Sequence, residues 1–189
     1  EKGIKWVFIG SVDNALLKMV DVTLLGMAID KGVQIASKSV VKANPHERVG
    51  VFCKMNGHPK VIEYTELPEK MAEEVDSDGE LKYGESHIMC NLYTIDAIEK
   101  ISKETLMYHS AFKKNAYIDE NGKEIIPTEP NSYKFESFIF DAFEFFDDIA
   151  IMRGKREDDF APVKNKEGAD SPKTAKELYE KYWEKHGKK

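Results

Sequence analysis

Asp13 lies where the apolar run Trp6-Val7-Phe8-Ile9 opens through Gly10-Ser11-Val12 into a polar loop. A carboxylate at the end of a buried strand is placed to hold a hard divalent cation on oxygen. Beside Asn14 it also reads as an Asx turn, and on spacing alone that is the better reading. Two lysines stand in loop contexts: Lys134 after Pro130-Asn131, and Lys164 in the turn Pro162-Val163-Lys164-Asn165. In a chain that is 33% charged, most single lysines are solvated. Glu63 and Tyr64 close the return strand of a hairpin, where the plain expectation is an edge-strand glutamate facing solvent. Cys53 and Cys90 fall in apolar strand patterns and read as buried and inert, and two cysteines are too few for a disulfide framework or a zinc knuckle. His46, His58 and His186 sit in turn or tail contexts and are expected to be exposed.

The elements that must position these groups follow from periodicity. Trp6–Ile9 reads as a buried strand. Leu24, Leu25, Ala28 and Ile29 recur at helical spacing, with Gly32 as the C-cap. Ile35 to Lys42 is strand-like. Across Arg48–Leu67, Val49, Val51 and Cys53 alternate, Asn56-Gly57 turns and Lys60–Tyr64 returns, a β-hairpin. A short exposed helix is expected from Glu69 to Val75, a strand at His87–Tyr93 and a helix marked by Ile95, Ile98 and Ile101. Tyr117 to Ile126 is a second Asn-Gly hairpin. Phe135, Phe138, Ile139, Ala142, Phe143 and Phe146 predict an amphipathic helix with an aromatic core face, from which Phe140 stands apart. Ala150-Ile151-Met152 is a strand, Arg153–Ala169 a polar charged loop, and Ser171-Pro172 opens a capped terminal helix. Alternating strands and helices give an α/β class with a mixed sheet.

Composition sets the outer bounds. The chain has 189 residues, 41% of them hydrophobic and 11% aromatic, enough for a real core in about one domain. A net charge of -6 argues against nucleic acid as a partner, because such binding needs clustered cations. No apolar run approaches the roughly 20 residues of a membrane-spanning helix, and the first residues, Glu1-Lys2-Gly3-Ile4, form no signal-peptide core and read as the middle of a protein. A cytoplasmic location is the expectation, with no membrane partner.

Several strings, in order, resemble the UDP-sugar pyrophosphorylases, most closely the UDP-N-acetylglucosamine pyrophosphorylase branch. They are Val12-Asp13-Asn14, Lys38-Ser39-Val40-Val41-Lys42 before Pro45-His46-Glu47-Arg48-Val49-Gly50-Val51, and Val61-Ile62-Glu63-Tyr64-Thr65-Glu66. Pro130-Asn131-Ser132-Tyr133-Lys134-Phe135-Glu136 follows, then Phe138-Ile139-Phe140-Asp141. The last are Arg156-Glu157-Asp158-Asp159-Phe160-Ala161-Pro162-Val163-Lys164-Asn165 and Ser171-Pro172-Lys173-Thr174-Ala175. The resemblance implies a nucleotide-diphosphosugar transferase fold, a three-layer α/β sandwich with its site at strand ends. The family's Gly-rich phosphate loop, of pattern GGxGTRLG, does not occur here. The chain therefore resembles the C-terminal part of the catalytic domain, with 1–170 as its second half and 171–189 as a helix leading toward a further domain.

The same resemblance implies a reaction, in which UTP and a sugar 1-phosphate give a UDP-sugar and pyrophosphate, the sugar being N-acetylglucosamine or glucose. Both reactants are anions, so the demand is charge neutralisation and in-line positioning. That implies Mg²⁺ (or Mn²⁺) on Asp13, which also stands as a nucleotide-binding residue, with Lys134 and Lys164 on phosphates as the catalytic pair. Glu63 and Tyr64 match the family's sugar-binding pair, and Phe140 an aromatic of the sugar pocket. His87 stands where the branch carries an asparagine that touches the sugar. A histidine keeps one hydrogen bond there but not an amide's paired donor and acceptor. His109, near Lys113-Lys114, resembles another family string and takes no assigned role. The competing expectation is a non-catalytic nucleotide-sugar-binding or regulatory module of the same fold. Unpaired strand edges would favour self-association of the chain alone.

Overall fold

The computed structural model describes residues 2–187. Along the chain come β1 (Trp6–Gly10), α1 (Val22–Lys31), β2 (Ile35–Val41), β3 (Val51–Met55), β4 (His58–Ile62), α2 (Glu69–Ala72) and β5 (Glu85–Thr94). Then follow α3 (Ile95–Ile101), β6 (His109–Lys113), β7 (Tyr117–Ile118), β8 (Glu124–Ile125) and β9 (Ser132–Glu136). A 3₁₀ helix (Ile139–Phe145), β10 (Ala150–Arg153), α4 (Arg156–Asp159) and α5 (Pro172–His186) complete it. Six strands form one mixed sheet in the order β10-β2-β5-β3-β4. On the side of β5 away from β2, β1 takes Cys90–Thr94 and β3 meets Ser86. Only β10 and β2 run parallel.

Alternation divides the core between the two faces of this sheet. Ile35 and Tyr93 turn to one side, where α3 (Ala97, Ile101) and the 3₁₀ helix (Phe140, Phe143) bury them. Ala36 and Leu92 turn to the other, against Leu24 and Ala28 of α1. The result is a three-layer α/β arrangement. Its boundaries are local chemistry. Asp21 caps α1 by accepting from the Thr23 and Leu24 N–H groups at 3.0 and 3.1 Å, and Gly32 ends it in the left-handed region at φ 65°. Asn56 and Gly57 both have positive φ, 54° and 88°, as a two-residue hairpin turn of this hand requires. Ser171 and Thr174 form a capping box that starts α5, and Ala175 then packs against Leu16 and Ala161.

Two expectations are corrected. The aromatic segment is not an α-helix. Phe135 lies on β9, exposed; Phe138 is extended; Ile139–Phe145 winds as a 3₁₀ helix. Phe140, Phe143 and Phe146 are the buried aromatics, at the three-residue spacing of a 3₁₀ helix, whereas the α-helical pattern left Phe140 off the core face. Aromatic and β-branched residues fill this stretch and have little intrinsic helix preference, so pairing with β6 and burial of every third side chain prevail. The expected polar loop at Arg153–Ala169 holds a turn of helix and a buried charge. Asp159 accepts from Lys38 Nζ at 2.8 Å and Lys18 Nζ at 3.1 Å, and Lys38 also meets Asp21 at 2.6 Å. Burial opposes the Lys38 charge, but its bonds to Asp159 and Asp21 prevail and its pKa lies above the ordinary value. Gly154 is required there, since a Cβ would stand 2.4 Å from Asp159 Oδ2.

Candidate active-site cleft

The ends of β1, β4 and β5 surround an open cleft of about 540 Å³, within the usual range for small-molecule sites. One wall is set by the loop after β1. Asn14, buried, donates from Nδ2 to the Asp159 carbonyl at 2.8 Å and accepts at Oδ1 from the N–H groups of Ala161 (2.8 Å) and Leu16 (3.2 Å). The backbones on either side are tied as well, Ala15 N–H to the Ala161 carbonyl at 3.0 Å and Val163 N–H to the Asp13 carbonyl at 2.7 Å. This strap brings Asp13 and Lys164 into the same lining although they are distant in sequence. Ser11 donates its hydroxyl to Asp13 Oδ1, which fixes the carboxylate in the cleft.

The floor comes from an irregularity in β5. Between the pairs Ser37↔Asn91 and Ser39↔His87, two steps along β2 face four along β5, so β5 bulges at Ile88–Cys90. Met89 sits in the bulge at φ 49°, a left-handed conformation that costs a non-glycine residue on the order of 1 kcal/mol. The bulge ends at His87, whose ring packs edge-on against Phe52 and Phe140. Its Nε2 meets Asn91 Oδ1 at 3.1 Å, and Ser37 Oγ donates to the same oxygen at 2.5 Å. Burial pulls the His87 pKa down to about 4, so the imidazole is neutral near pH 7. With Nε2–H donating to Asn91, Nδ1 is the ring's remaining acceptor.

Glu63 ends the hairpin on the opposite wall, half-buried, with Tyr64 exposed beside it. Burial raises the Glu63 pKa, the nearby charges of Glu66 and Asp141 raise it further, and His109 and Lys164 oppose them. Gly50 makes room for this carboxylate, because a Cβ there would stand 2.8 Å from Glu63 Oε1. Lys164 reaches across to the Arg48 carbonyl at 3.3 Å. Phe140 lines the cleft while belonging to the core, and Phe138 stacks on it at 4.8 Å between ring centres.

Asp13, Glu63, Tyr64, His87, Phe140 and Lys164 thus share one lining. Lys134 is not part of it. It lies on β9, exposed, its Nζ 2.5 Å from Glu136. Its cross-strand neighbours on the same ribbon face include Ala111 and, one diagonal step away, Lys113, which does line the cleft. Other lining residues had no site role in the sequence reading, among them Arg48, Gly50, Met89, Lys113 and Asp170. Arg48 and Gly50 fall inside a family-like string, whereas no sequence signal marks Met89, whose place depends on the bulge. Cys53 and Cys90 are held as thiols by burial, Cys90 with a pKa of about 11.

The donor set around Asp13 suits a hard cation. Asp13, Ser11 and Asp170 offer oxygen only, and Mg²⁺ commonly takes one or two carboxylates plus phosphate and water. Among the described residues, the one group of three side chains able to enclose an ion unaided is His46, Glu69 and Glu73, exposed and away from Asp13.

Comparison with known proteins identifies the family of the chain. Residues 1–171 match the family model described as UTP–glucose-1-phosphate uridylyltransferase. The human UDP-N-acetylhexosamine pyrophosphorylase-like protein 1 is 37% identical, over 93% of this chain and 36% of its own length. The UDP-N-acetylglucosamine pyrophosphorylase of Saccharomyces cerevisiae is 38% identical, over 94% of this chain and 39% of its own. A crystal structure of the uridine diphosphate N-acetylglucosamine pyrophosphorylase from Trypanosoma brucei, in complex with an inhibitor, superposes with a TM-score of 0.78 at 34% identity, covering 93% of this chain and 35% of that one. The chain spans less than two-fifths of the length of these relatives. By this match and by its fold, the chain belongs to the UTP–glucose-1-phosphate uridylyltransferase family.

Proposed function

We propose that the protein carrying this chain is a uridylyltransferase that joins UTP to a sugar 1-phosphate, N-acetylglucosamine 1-phosphate foremost, and releases pyrophosphate. The observation that supports this most is the gathering of Asp13, Glu63, Tyr64, His87, Phe140 and Lys164 in one cleft. A phosphate oxygen of the sugar phosphate bonds to the α-phosphorus of UTP as the bond to the β-phosphate oxygen breaks. The phosphate is already ionised at neutral pH, so no protein base is required. The lining offers three cations, Arg48, Lys113 and Lys164, against three carboxylates, Asp13, Glu63 and Asp170. That balance leaves several phosphate charges uncompensated. Asp13 is the residue that would hold Mg²⁺ (or Mn²⁺), which when bound would supply the missing positive charge and draw electron density from the phosphates.

The chain's own groups then divide the work. Lys164 meets phosphate oxygens. Glu63 accepts from sugar hydroxyls, its half-buried carboxylate strengthened as an acceptor by the lower local dielectric. Neutral His87 accepts at Nδ1, which suits a sugar hydroxyl or an N-acetyl N–H equally. Tyr64, exposed at the rim, meets the sugar, and Phe140 backs the lining from the core. Lys134 reaches a phosphate only by leaving Glu136. No helix among the described residues is long and apolar enough to cross a membrane, and we place the reaction in the cytoplasm. The test is pyrophosphate release by the intact protein with UTP, Mg²⁺ and a panel of sugar 1-phosphates. Release with none of them would refute the reading.

A further inference from the structure

The two-stranded ribbon of β6 and β9 stands apart from the main sheet, its strands paired with each other alone among the described residues. Alternation gives it two faces. One carries Phe112, Tyr133 and Phe135, exposed by 53%, 63% and 63%, so apolar burial holds nothing on that side. The other carries His109, Ala111 and Lys113 with Lys134 and Glu136, and it turns toward the molecule. Leu106 and Phe138, just outside the two strands, pack against the core, and the hydrogen bonds from that face to the body run through one imidazole. His109 Nδ1 lies 2.9 Å from Glu66 Oε1, in the loop after β4, and Nε2 lies 2.9 Å from Asp141 Oδ2, on the 3₁₀ helix. The ring also packs against Phe138, 5.0 Å between ring centres and tilted by 43°.

We propose that His109 is a positioning residue of the cleft. By donating one ring N–H to Glu66 and the other to Asp141, it docks the β6–β9 ribbon and so sets where Lys113 and Lys134 meet an anionic substrate. The second half rests on the reading of the cleft as a nucleotide and sugar-phosphate site; the docking itself does not. Ionised carboxylates only accept, so both bonds require the doubly protonated ring. The groups bonded to it are both acidic, Glu66 and Asp141, with Glu63 beyond them and Glu136 across the ribbon; the cations on the same face are Lys134, paired with Glu136, and Lys113. Burial disfavours the charge on His109, but its hydrogen bonds to Asp141 and Glu66 outweigh this and the net direction is upward. The sign follows. A histidine pKa raised by folding contributes its stabilisation below the ordinary value, near 6.5, and loses it as pH rises through the raised one. The docked ribbon is therefore the low-pH form and loosens toward alkaline pH. In the docked form Lys113 reaches the cleft and Lys134 stands on the same face, one diagonal step away, paired with Glu136.

The experiment uses the intact protein with spin labels placed at Ser110 on the ribbon and Glu99 on α3, both exposed. The expected result is a narrow distance distribution at pH 6 that broadens by pH 9, and a broad one at both pH values in His109→Gln. Glu66→Ala, which breaks one of the two bonds at an exposed residue, serves as the second variant and should broaden the distribution at pH 6. Unchanged distributions in both variants would overturn the docking. With UTP, N-acetylglucosamine 1-phosphate and Mg²⁺, His109→Gln should raise a substrate KM about fivefold or more. Its melting temperature should stay near wild type, and the wild-type rise of KM with pH should disappear. A broadened ribbon with both KM values unmoved would overturn the positioning role. An intact protein without uridylyltransferase activity would overturn the functional reading and the lysine half, while the distances still decide the docking.

Discussion

Removing the Asn14 side chain tests how the cleft is held together. Asn14→Ala deletes three hydrogen bonds, to the Asp159 carbonyl and from the Leu16 and Ala161 N–H groups, at a position only 5% exposed. Each bond contributes about 1 kcal/mol net, and buried backbone groups left without a partner cost somewhat more. The expected loss is therefore about 3–4 kcal/mol, which for a domain of this size is a drop on the order of 10 °C in melting temperature. Asn14→Asp refines the test. An ionised aspartate keeps the two acceptor functions but sets a negative charge against the Asp159 carbonyl. A protonated one donates to that carbonyl and mimics the amide. Its destabilisation should thus be large at pH 7 and shrink below about pH 5. Urea unfolding followed by circular dichroism, at both pH values, measures this. A loss under about 1 kcal/mol in Asn14→Ala would refute the reasoning, because it would mean that water replaces the amide and the strap is not sealed.

Four further outcomes are expected. Asp13→Asn should nearly abolish pyrophosphate release while leaving the melting temperature unchanged; activity near wild type at saturating Mg²⁺ would remove Asp13 from the cation. Glu63→Ala should raise KM for the sugar 1-phosphate at least tenfold and for UTP much less, and equal effects would move Glu63 off the sugar. Lys164→Ala and Lys134→Ala should each lower kcat/KM more than tenfold with little change in stability; unchanged kinetics would return that lysine to the solvated surface. His87, neutral when folded with a pKa of about 4, contributes stability above the ordinary histidine value that fades as pH falls from about 6.5 toward 4, by up to about 3 kcal/mol. His87→Asn should lack this acid-side loss and shift preference toward N-acetylhexosamine phosphates; an identical stability profile from pH 7 to 4 would contradict the burial argument.

Local chemistry made much of the fold legible. Asn56-Gly57 announced the β3–β4 hairpin because both residues accept positive φ, and Ser171-Pro172 announced α5 because cap and first turn are written in adjacent residues. The cleft residues were legible through their strings, Asp13 before Asn14, Glu63 before Tyr64, Lys164 before Asn165, and the structure sets these in one lining. The long-range choices were not legible. The bulge that turns His87 and Met89 to the floor depends on the register of β5 against β2. The 3₁₀ winding at Ile139–Phe145 shares an i, i+3 pattern with an α-helix and was decided by what the phenylalanines pack on. His109 sits in a family-like string, but its role was not legible, since its partners lie 43 and 32 residues away.

The strap between Asn14 and Ala161 joins residues 147 apart in sequence. During synthesis, at roughly 5–20 residues per second, Asp13 emerges some 7–30 s before Lys164 exists to stand beside it. The β3–β4 hairpin and α1 have their partners close by and can form in that interval, but the wall of the cleft cannot. Until Ala161 arrives, the amide of Asn14 and the ammonium of Lys38 must be kept wet or find substitutes. A nascent chain stalled before Asp159 would hold most of the sheet and none of the clamp, a state for a chaperone to recognise and a protease to cut.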